Sequence, residues 1–160
     1  MFTPITDIEK TAFKKKLLQK SIELIERRIA EAFSAMENAQ AASNSEEKSS
    51  AGDKYETSRA MSHLEKDMHS RQLAANKIEL AALYNINCLN LYESVAAGSF
   101  VRCDANSFFI AAGLGKINID GEDIFLLSPN APLAKLLIGK KIGHLYRCPA
   151  SCQTTQLHLS

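Results

Sequence analysis

Two carboxylates, Asp53 and Glu56, are the residues of this 160-residue chain best placed to do chemistry. They stand three residues apart at the start of a predicted helix, so they fall on one helix face. An Asp followed by a Glu at this spacing is also a capping box, which satisfies free backbone N–H groups, and spacing alone favours that interpretation. The other interpretation is a pair of Mg²⁺ ligands. Two carboxylates hold Mg²⁺ poorly on their own, so a partner protein or phosphates must complete such a site.

Other candidate metal ligands and nucleophiles are weaker. Cys148 and Cys152 with His158 form at most part of a zinc site, because a C-x₃-C spacing is unusual and half of the ligand set is missing. We interpret both cysteines as ordinary thiols. His63 and His69 are six residues apart on a predicted helix and do not share a face at ligand spacing. No Ser-His-Asp or Cys-His arrangement stands out in the sequence.

Charge and hydropathy argue against several functional classes. With 19 basic and 18 acidic residues the formal net charge is +1, which gives no general attraction to nucleic acid or anionic membranes. No segment approaches the roughly 18 apolar residues that span a bilayer, and residues 1–20 are lysine-rich without an apolar signal core. We therefore expect a cytoplasmic protein with no membrane partner and with reduced cysteines. The run Lys14-Lys-Lys16 is interpreted as a solvated helix face.

The first half of the chain predicts two long helices. Residues 7–93 contain no proline and one glycine, Gly52, and they are rich in strong helix formers. Both helices carry apolar residues at heptad spacing, which is typical of a coiled-coil seam. The first seam consists of Leu18, Ile22, Ile25, Ile29, Ala32, Met36 and Ala39. The second consists of Met61, Leu64, Met68, Ala75, Ile78, Ala82 and Leu89, with interruptions at Arg71 and Asn85. We predict antiparallel helices over 7–42 and 53–93, forming a solvent-projecting hairpin domain over 1–96 with an acidic tip near 44–56.

Residues 97–160 predict a small β-rich domain. From Gly98 onward glycines recur, and β-branched and aromatic residues alternate with polar ones. We expect strands at 100–103, 107–112, 117–119, 124–127 and 142–147, with another near 156–159. Asp104-Ala-Asn and Asp120-Gly-Glu supply turns between strands. Pro132 and Gly139 are placed to begin and end a short helix. The fold class is therefore α+β: a long antiparallel helical hairpin followed by a small sheet domain with one short helix.

Two stretches of this chain resemble the Gre family of transcription elongation factors. The tip Gly52-Asp53-x-x-Glu56 is similar to the Gly-Asp-x-x-Glu tip of that family. The stretch Leu127-Ser-Pro-Asn-Ala-Pro-Leu-Ala-Lys-Leu-Leu-Ile-Gly-Lys-Lys-Ile-Gly143 resembles the Gre C-terminal signature Ser-Pro-x-Ser-Pro-Leu-Gly-x-x-Leu-Leu-Gly-Lys-x-x-Gly-Asp. The second stretch is the more specific because it is longer. Order and spacing agree, so the resemblance covers nearly the whole chain.

The resemblance implies an FKBP-like antiparallel sheet domain and a hairpin that enters the secondary channel of bacterial RNA polymerase. There Asp53 and Glu56 would help to hold a second Mg²⁺ for cleavage of backtracked RNA. This ion is shared with the polymerase active site and is not bound stably by the chain alone. The polymerase is then the enzyme, and this chain, expected to be a monomer, meets nucleic acid only within the transcription complex. The implied polymerase docking residues are Pro132, Leu133, Lys135, Lys140 and Lys141.

Two departures from the family pattern keep a second function open. Family tips continue past the Glu with an Asn and an acidic-aromatic pair, whereas this chain has Thr57-Ser-Arg59-Ala, which brings positive charge. The closing Gly-Asp of the signature is Gly143-His144 here. The alternative is a non-cleaving polymerase-binding regulator, or a coiled-coil interaction module, whose tip carboxylates only cap the helix. A prolyl isomerase is a poor third reading, because fold does not imply activity.

Overall fold

The computed structural model describes most of the chain, and it divides into two compact units. The described residues are 7–46, 52–90, 92–103, 106–141, 145–147, 154–156 and 158–159. One unit, here called the sheet unit, comprises Met1–Glu23 and Ala81–Ser160, and the helical unit comprises Leu24–Leu80. The start of the first helix and the end of the second therefore group with the strands. The division into 1–96 and 97–160, which follows chain order, stays a prediction.

Two long helices make up the first half of the chain, as predicted. Helix α1 spans Asp7–Glu46 and α2 spans Gly52–Tyr84. The prediction that the second helix continues to residue 93 is wrong. Its last turn tightens, because the Asn85 N–H donates to the Ala82 carbonyl and the Ile86 N–H donates to the Leu83 carbonyl, both at 3.2 Å. Residues 47–51 of the predicted tip loop lie outside the described residues.

The predicted seam of α1 is confirmed. All seven of its side chains are buried or half-buried, with Ile25, Ala32 and Ala39 the most buried. Within the helical unit, Lys66 of α2 donates to the Gln40 side chain of α1 at 2.5 Å. Residues from 28 to 35 of α1 share a cleft with residues from 69 to 76 of α2. Contact positions therefore rise along α1 as they fall along α2, so the two helices run antiparallel.

The predicted seam of α2 is wrong. All seven of its side chains are exposed, and Leu64 and Ile78 expose 69% and 71% of their surface. The face of α2 that is buried or half-buried instead consists of Ser62, Lys66, His69, Leu73, Asn76, Leu80 and Leu83. These residues also follow heptad spacing, so α2 carries two candidate seams. In the helical unit the Lys66–Gln40 hydrogen bond and the burial of Ser43 and Ser62 mark the more polar seam as the packed one.

The second half forms a five-stranded sheet, a separate two-stranded sheet and one short helix. Their bounds are β1 Phe100–Arg102, β2 Ser107–Ile110, β3 Gly115–Ile119, β4 Glu122–Leu127, α3 Pro132–Leu137, β5 Leu145–Arg147, β6 Thr154–Gln156 and β7 His158–Leu159. The larger sheet has the order β3-β4-β2-β1-β7, and β5 pairs with β6. The α+β fold class is confirmed: two long helices, then a small sheet domain with a short helix.

One detail of the predicted sheet, that it is wholly antiparallel, is wrong. Strand β4 pairs antiparallel with β3 but parallel with β2. The chain passes from β2 to the edge strand β3, reverses, and inserts β4 between the two, so β4 regains the direction of β2. The reversal is a two-residue turn at Asp120 and Gly121, whose φ values of 53° and 85° suit the tight hairpin turn that the sequence predicted.

Helix α3 closes one side of the apolar core of the sheet unit. Its buried residues Ala134 and Leu137 belong to a cluster with Val95, Val101, Cys103, Phe108 and Ile110. Leu133 packs against the same cluster. The position of α3 therefore follows from apolar burial. Because one side of α3 faces the core, its exposed residues lie on the opposite side.

Within the sheet unit, an aromatic contact joins the start of α1 to β1, and a buried lysine joins it to the segment after α2. The rings of Phe13 and Phe100 meet edge to face with centroids 5.2 Å apart. The ammonium of Lys14 donates to the Asn90 carbonyl at 2.8 Å and lies 4.9 Å from the centre of the Tyr92 ring. Lys14 is fully buried, so the prediction of a solvated face is wrong for this residue. Burial lowers the pKa of Lys14, and the neighbouring Cys88 only partly offsets that effect.

A half-buried carboxylate, Glu122, joins three strands of the sheet. Arg102 on β1 donates to it through Nε at 3.1 Å and Nη2 at 2.7 Å, and the Ser107 hydroxyl on β2 donates at 2.5 Å. Burial alone would raise the pKa of Glu122. The hydrogen bonds from Arg102 and Ser107, together with the Arg102 charge, outweigh burial and hold that pKa below its ordinary value.

We predict that Glu122→Gln weakens the fold and removes part of its acid sensitivity. At neutral pH the free energy of unfolding should fall by about 1–2 kcal/mol, because a charge-assisted pair is lost. The folded-state pKa of Glu122 lies below its unfolded value of about 4.3, so its contribution is present above that pH and is lost as pH falls through the folded pKa. Urea unfolding across pH 7 to pH 3 measures both effects.

Asp123→Asn is the matched control on the same strand. The Asp123 carboxylate is exposed and pairs with Lys116 on the surface, so its removal should change stability less. Identical pH profiles for wild type and Glu122→Gln would contradict the assignment of Glu122 as a stabilising carboxylate.

Candidate functional site

The predicted acidic tip lies at the start of α2. Helix α2 begins at Gly52, so Asp53 is inside the first turn and Glu56 is one turn further on. An N-cap residue has a non-helical backbone, so Asp53 does not occupy the position that a capping box with Glu56 requires. Carboxylates in a first turn still interact favourably with the positive end of the helix. The Asp53 side chain lies outside the described residues, and Glu56 is exposed.

The charges around the tip carboxylates are mixed. Lys54 and Arg59 are exposed on the same stretch of α2, so two positive charges accompany the two negative ones between residues 53 and 59. Thr57, between them, is also exposed. A balanced tip concentrates less negative potential than a purely acidic one. This balance lowers the attraction that the tip by itself exerts on a divalent cation.

The oxygen chemistry of the two carboxylates suits a hard cation such as Mg²⁺, but the local donor set is small. In the part of the chain that the structure describes, no three His, Cys, Asp or Glu side chains converge as a metal site. A helix N-terminus also carries partial positive charge, which disfavours a bare cation. Asp53 and Glu56 as catalytic metal ligands therefore stay a prediction that requires ligands from a partner. The partial zinc site at Cys148, Cys152 and His158 falls largely outside the described residues.

The predicted docking residues lie on α3 and on the turn after it. Pro132, Lys135, Lys140 and Lys141 are exposed, whereas Leu133 is half-buried against the core of the sheet unit. The structure thus separates this set into surface residues and one residue whose first role is packing. Their assignment as a polymerase contact stays a prediction.

The described part of the signature-like stretch, residues 127 to 141, builds a turn, a short helix and a second turn. The Ala131 N–H donates to the Ser128 carbonyl at 2.9 Å, and Pro132 opens α3, where its missing N–H costs nothing. Gly139 has φ of 84°, which ends the helix, and its N–H donates to the Val95 carbonyl at 2.9 Å. Ser128, Pro132 and Gly139 therefore have structural roles, and these roles explain why the pattern appears at this spacing.

Sequence reasoning missed two networks that position the sheet unit. One joins Lys14 to Asn90 and Tyr92, and the other joins Glu122 to Arg102 and Ser107. The sequence signal for the first network was the spacing of Lys14, Leu17 and Ser21, which puts the three on one helix face. In the structure all three side chains are fully buried. No comparable signal marks the second, because its partners come from separate strands.

Comparisons with known proteins add one distant likeness. No protein-family model matches the chain, and no curated protein matches it. A solved structure described as the GreA factor homolog 1 (Gfh1) protein of Thermus thermophilus is similar, with a TM-score of 0.33 and 12% identity, over 91% of this chain and 93% of that one. This likeness is too distant to transfer a residue role, so the roles proposed below rest on the chain's own residues. No helix among the described residues is long and apolar enough to cross a membrane.

We predict that two neighbouring residues of α3 separate folding from surface function. Leu133→Ala should lower the free energy of unfolding by about 1–3 kcal/mol, because Leu133 packs against the core. Lys135→Ala should change it by no more than about 0.5 kcal/mol, because Lys135 is exposed. Urea unfolding of both variants is the measurement. An equal loss in both would mean that α3 packs differently from the arrangement described.

Proposed function

We propose that this protein is a Gre-type accessory factor that binds bacterial RNA polymerase and places its helical tip in the secondary channel. The observation that carries the proposal is the position of Gly52-Asp53-x-x-Glu56, which opens α2, the second of two long antiparallel helices. The Gre-like stretch from 127 to 143 supports it independently, because it lies at the corresponding place in the second half of the chain.

In the proposed mechanism the polymerase is the enzyme and this chain lends ligands. Asp53 and Glu56 would supply carboxylate oxygens to a Mg²⁺ ion that the polymerase's own acidic residues and the RNA phosphates also hold. Such an ion would neutralise the charge that develops when water attacks an RNA phosphodiester. Neither carboxylate needs to bind the ion tightly alone, which agrees with the mixed charge of the tip.

A non-cleaving regulator is the second candidate, and one observation favours it. Arg59 is exposed and lies three residues after Glu56, so the two share a face of α2. A guanidinium on the same helix face can compete with a cation for the carboxylate oxygens. In this version the hairpin occupies the channel and blocks it, and Asp53 and Glu56 serve only the start of the helix.

We predict that Asp53→Asn combined with Glu56→Gln separates ligand chemistry from helix stabilisation. Helix stability should fall by about a few tenths of a kcal/mol, because only charge at the positive helix end is lost. A Mg²⁺ ligand pair loses its negative charge and most of its affinity for a hard cation. The variant should fold and bind polymerase as wild type does but should no longer stimulate transcript cleavage by a backtracked complex.

Arg59→Glu is the informative companion variant. It should increase stimulation if the guanidinium weakens the ligand pair. Equal stimulation by wild type and the double variant would remove Asp53 and Glu56 from the mechanism. A wild-type protein that binds polymerase without stimulating cleavage would establish the non-cleaving regulator.

Polymerase docking is tested by reversing charge on the exposed lysines. Lys135→Glu with Lys140→Glu should weaken binding of the full chain to polymerase at least about tenfold, because both side chains are exposed in the predicted docking region. Lys116→Glu, on strand β3, is the control and should bind as wild type does. Surface plasmon resonance against the purified polymerase measures all three. Loss of binding by the control as well would point to general electrostatics, and no binding by wild type would exclude the transcription role.

A further inference from the structure

An apolar stripe on α2 faces solvent in the helical unit. We call it the outer stripe, and it consists of Met61, Leu64, Met68, Ala75 and Ile78. Its four large side chains expose 61%, 69%, 56% and 71% of their surface, in chain order. Arg71 interrupts the stripe between Met68 and Ala75. A row of exposed large apolar side chains is still uncommon on a surface and marks interaction sites.

The outer stripe does not hold α2 against α1. That role falls to the more polar face with Lys66, His69 and Asn76, where Lys66 bonds to Gln40. On the same face His69 Nδ1 and Asn76 Nδ2 are buried and have no hydrogen-bond partner among the described residues. The chain therefore keeps its more apolar face of α2 available while it packs the more polar one. An apolar heptad that its own chain leaves unused is available to a second helix.

The heptad register of the outer stripe identifies the chemistry of that helix. With Met61 at position a, the stripe occupies a and d positions. The flanking e and g positions from residue 65 to 79 hold Glu65, Asp67, Gln72, Ala74 and Glu79. Every charged residue at these flanks is acidic. No ion pair in the described part of the chain engages Glu65, Asp67 or Glu79. Charges at e and g choose the partner of a coiled coil, so these flanks favour a basic helix.

A second copy of this chain is a poor occupant of the outer stripe. Arg71 stands at a d position, so a parallel pair would oppose the two Arg71 side chains directly. An antiparallel pair would set the flanks of the two copies against each other, and the charged residues at those flanks are acidic in both copies. Like charges facing across such an interface are destabilising in both arrangements.

We propose that the outer stripe is a docking site for an amphipathic helix of another protein, with Leu or Ile at its a and d positions and Lys or Arg at its flanks. The site lies on α2 away from α1 and goes beyond polymerase binding through the tip and the sheet unit. Binding buries the exposed stripe side chains and pairs the three acidic flanking residues.

The test uses the full-length protein and two synthetic helical peptides of about four heptads. Both have Ile at a and Leu at d, but one has Lys at e and g and the other has Glu. Fluorescence anisotropy should show that the Lys peptide binds and that the Glu peptide binds at least about tenfold more weakly. Leu64→Gln with Met68→Gln should abolish binding of the Lys peptide. Ile8→Gln, at another exposed apolar residue, should not affect it.

Charge reversal and two physical measurements decide the remaining outcomes. Glu65→Lys with Glu79→Lys should invert the preference, so that the Glu peptide binds better. The proposal is overturned if both peptides bind equally or neither binds. It is also overturned if light scattering finds a dimer that Leu64→Gln dissociates, because a second copy is then the occupant. A large drop in melting temperature for Leu64→Gln in the free protein would show that the stripe packs within its own chain, which overturns it as well.

Discussion

The buried ammonium of Lys14 is the constraint on which the sheet unit is organised. A charge with no access to water needs an acceptor or a ring face, and both come from the segment after α2, as the Asn90 carbonyl and the Tyr92 ring. The Cys88 thiol donates back to the Lys14 carbonyl at 3.6 Å, and burial raises the pKa of that thiol. The start of α1 and the end of the hairpin are thus held together, and the Phe13–Phe100 contact attaches them to β1. The hairpin is closed by polar contacts as much as by apolar ones.

The two faces of α2 show how a helix can serve two contacts. One face is the more polar of the two and is half-buried within the helical unit, where His69 Nδ1 and Asn76 Nδ2 have no hydrogen-bond partner among the described residues. Buried polar atoms without hydrogen bonds cost stability, so this packing is not the one that apolar burial alone would choose. The opposite face carries the larger apolar side chains and keeps them exposed. Helix α2 therefore exposes its more apolar face, which is the face proposed to bind another helix.

Some of the proposed functional residues are needed to build the fold, and others are not. Ser128, Pro132, Leu133 and Gly139 have defined parts in building α3 and its two turns, so their presence follows from the fold. Glu56 is exposed in the first turns of α2, and Lys135 and Lys140 are exposed on or after α3, without such a part. Exposed charged residues with no folding role are available for a binding function, which is the role proposed for these three. This contrast makes the tip and the lysines the informative positions.

Helical periodicity and turn chemistry determined much of this protein from its sequence alone. Proline-free heptads predicted two long helices, Asp120-Gly121 predicted a hairpin, and Pro132 with Gly139 predicted α3, because each is a local rule of backbone geometry. Local rules also placed Asp53 and Glu56 on one face at the start of α2. Only the tertiary structure decided which of two heptad faces α2 buries, that β4 inserts beside β2, and that Lys14 and Glu122 find partners. Those outcomes depend on residues far apart in the chain, and periodicity within a single helix or strand carries no information about which distant surface will meet it.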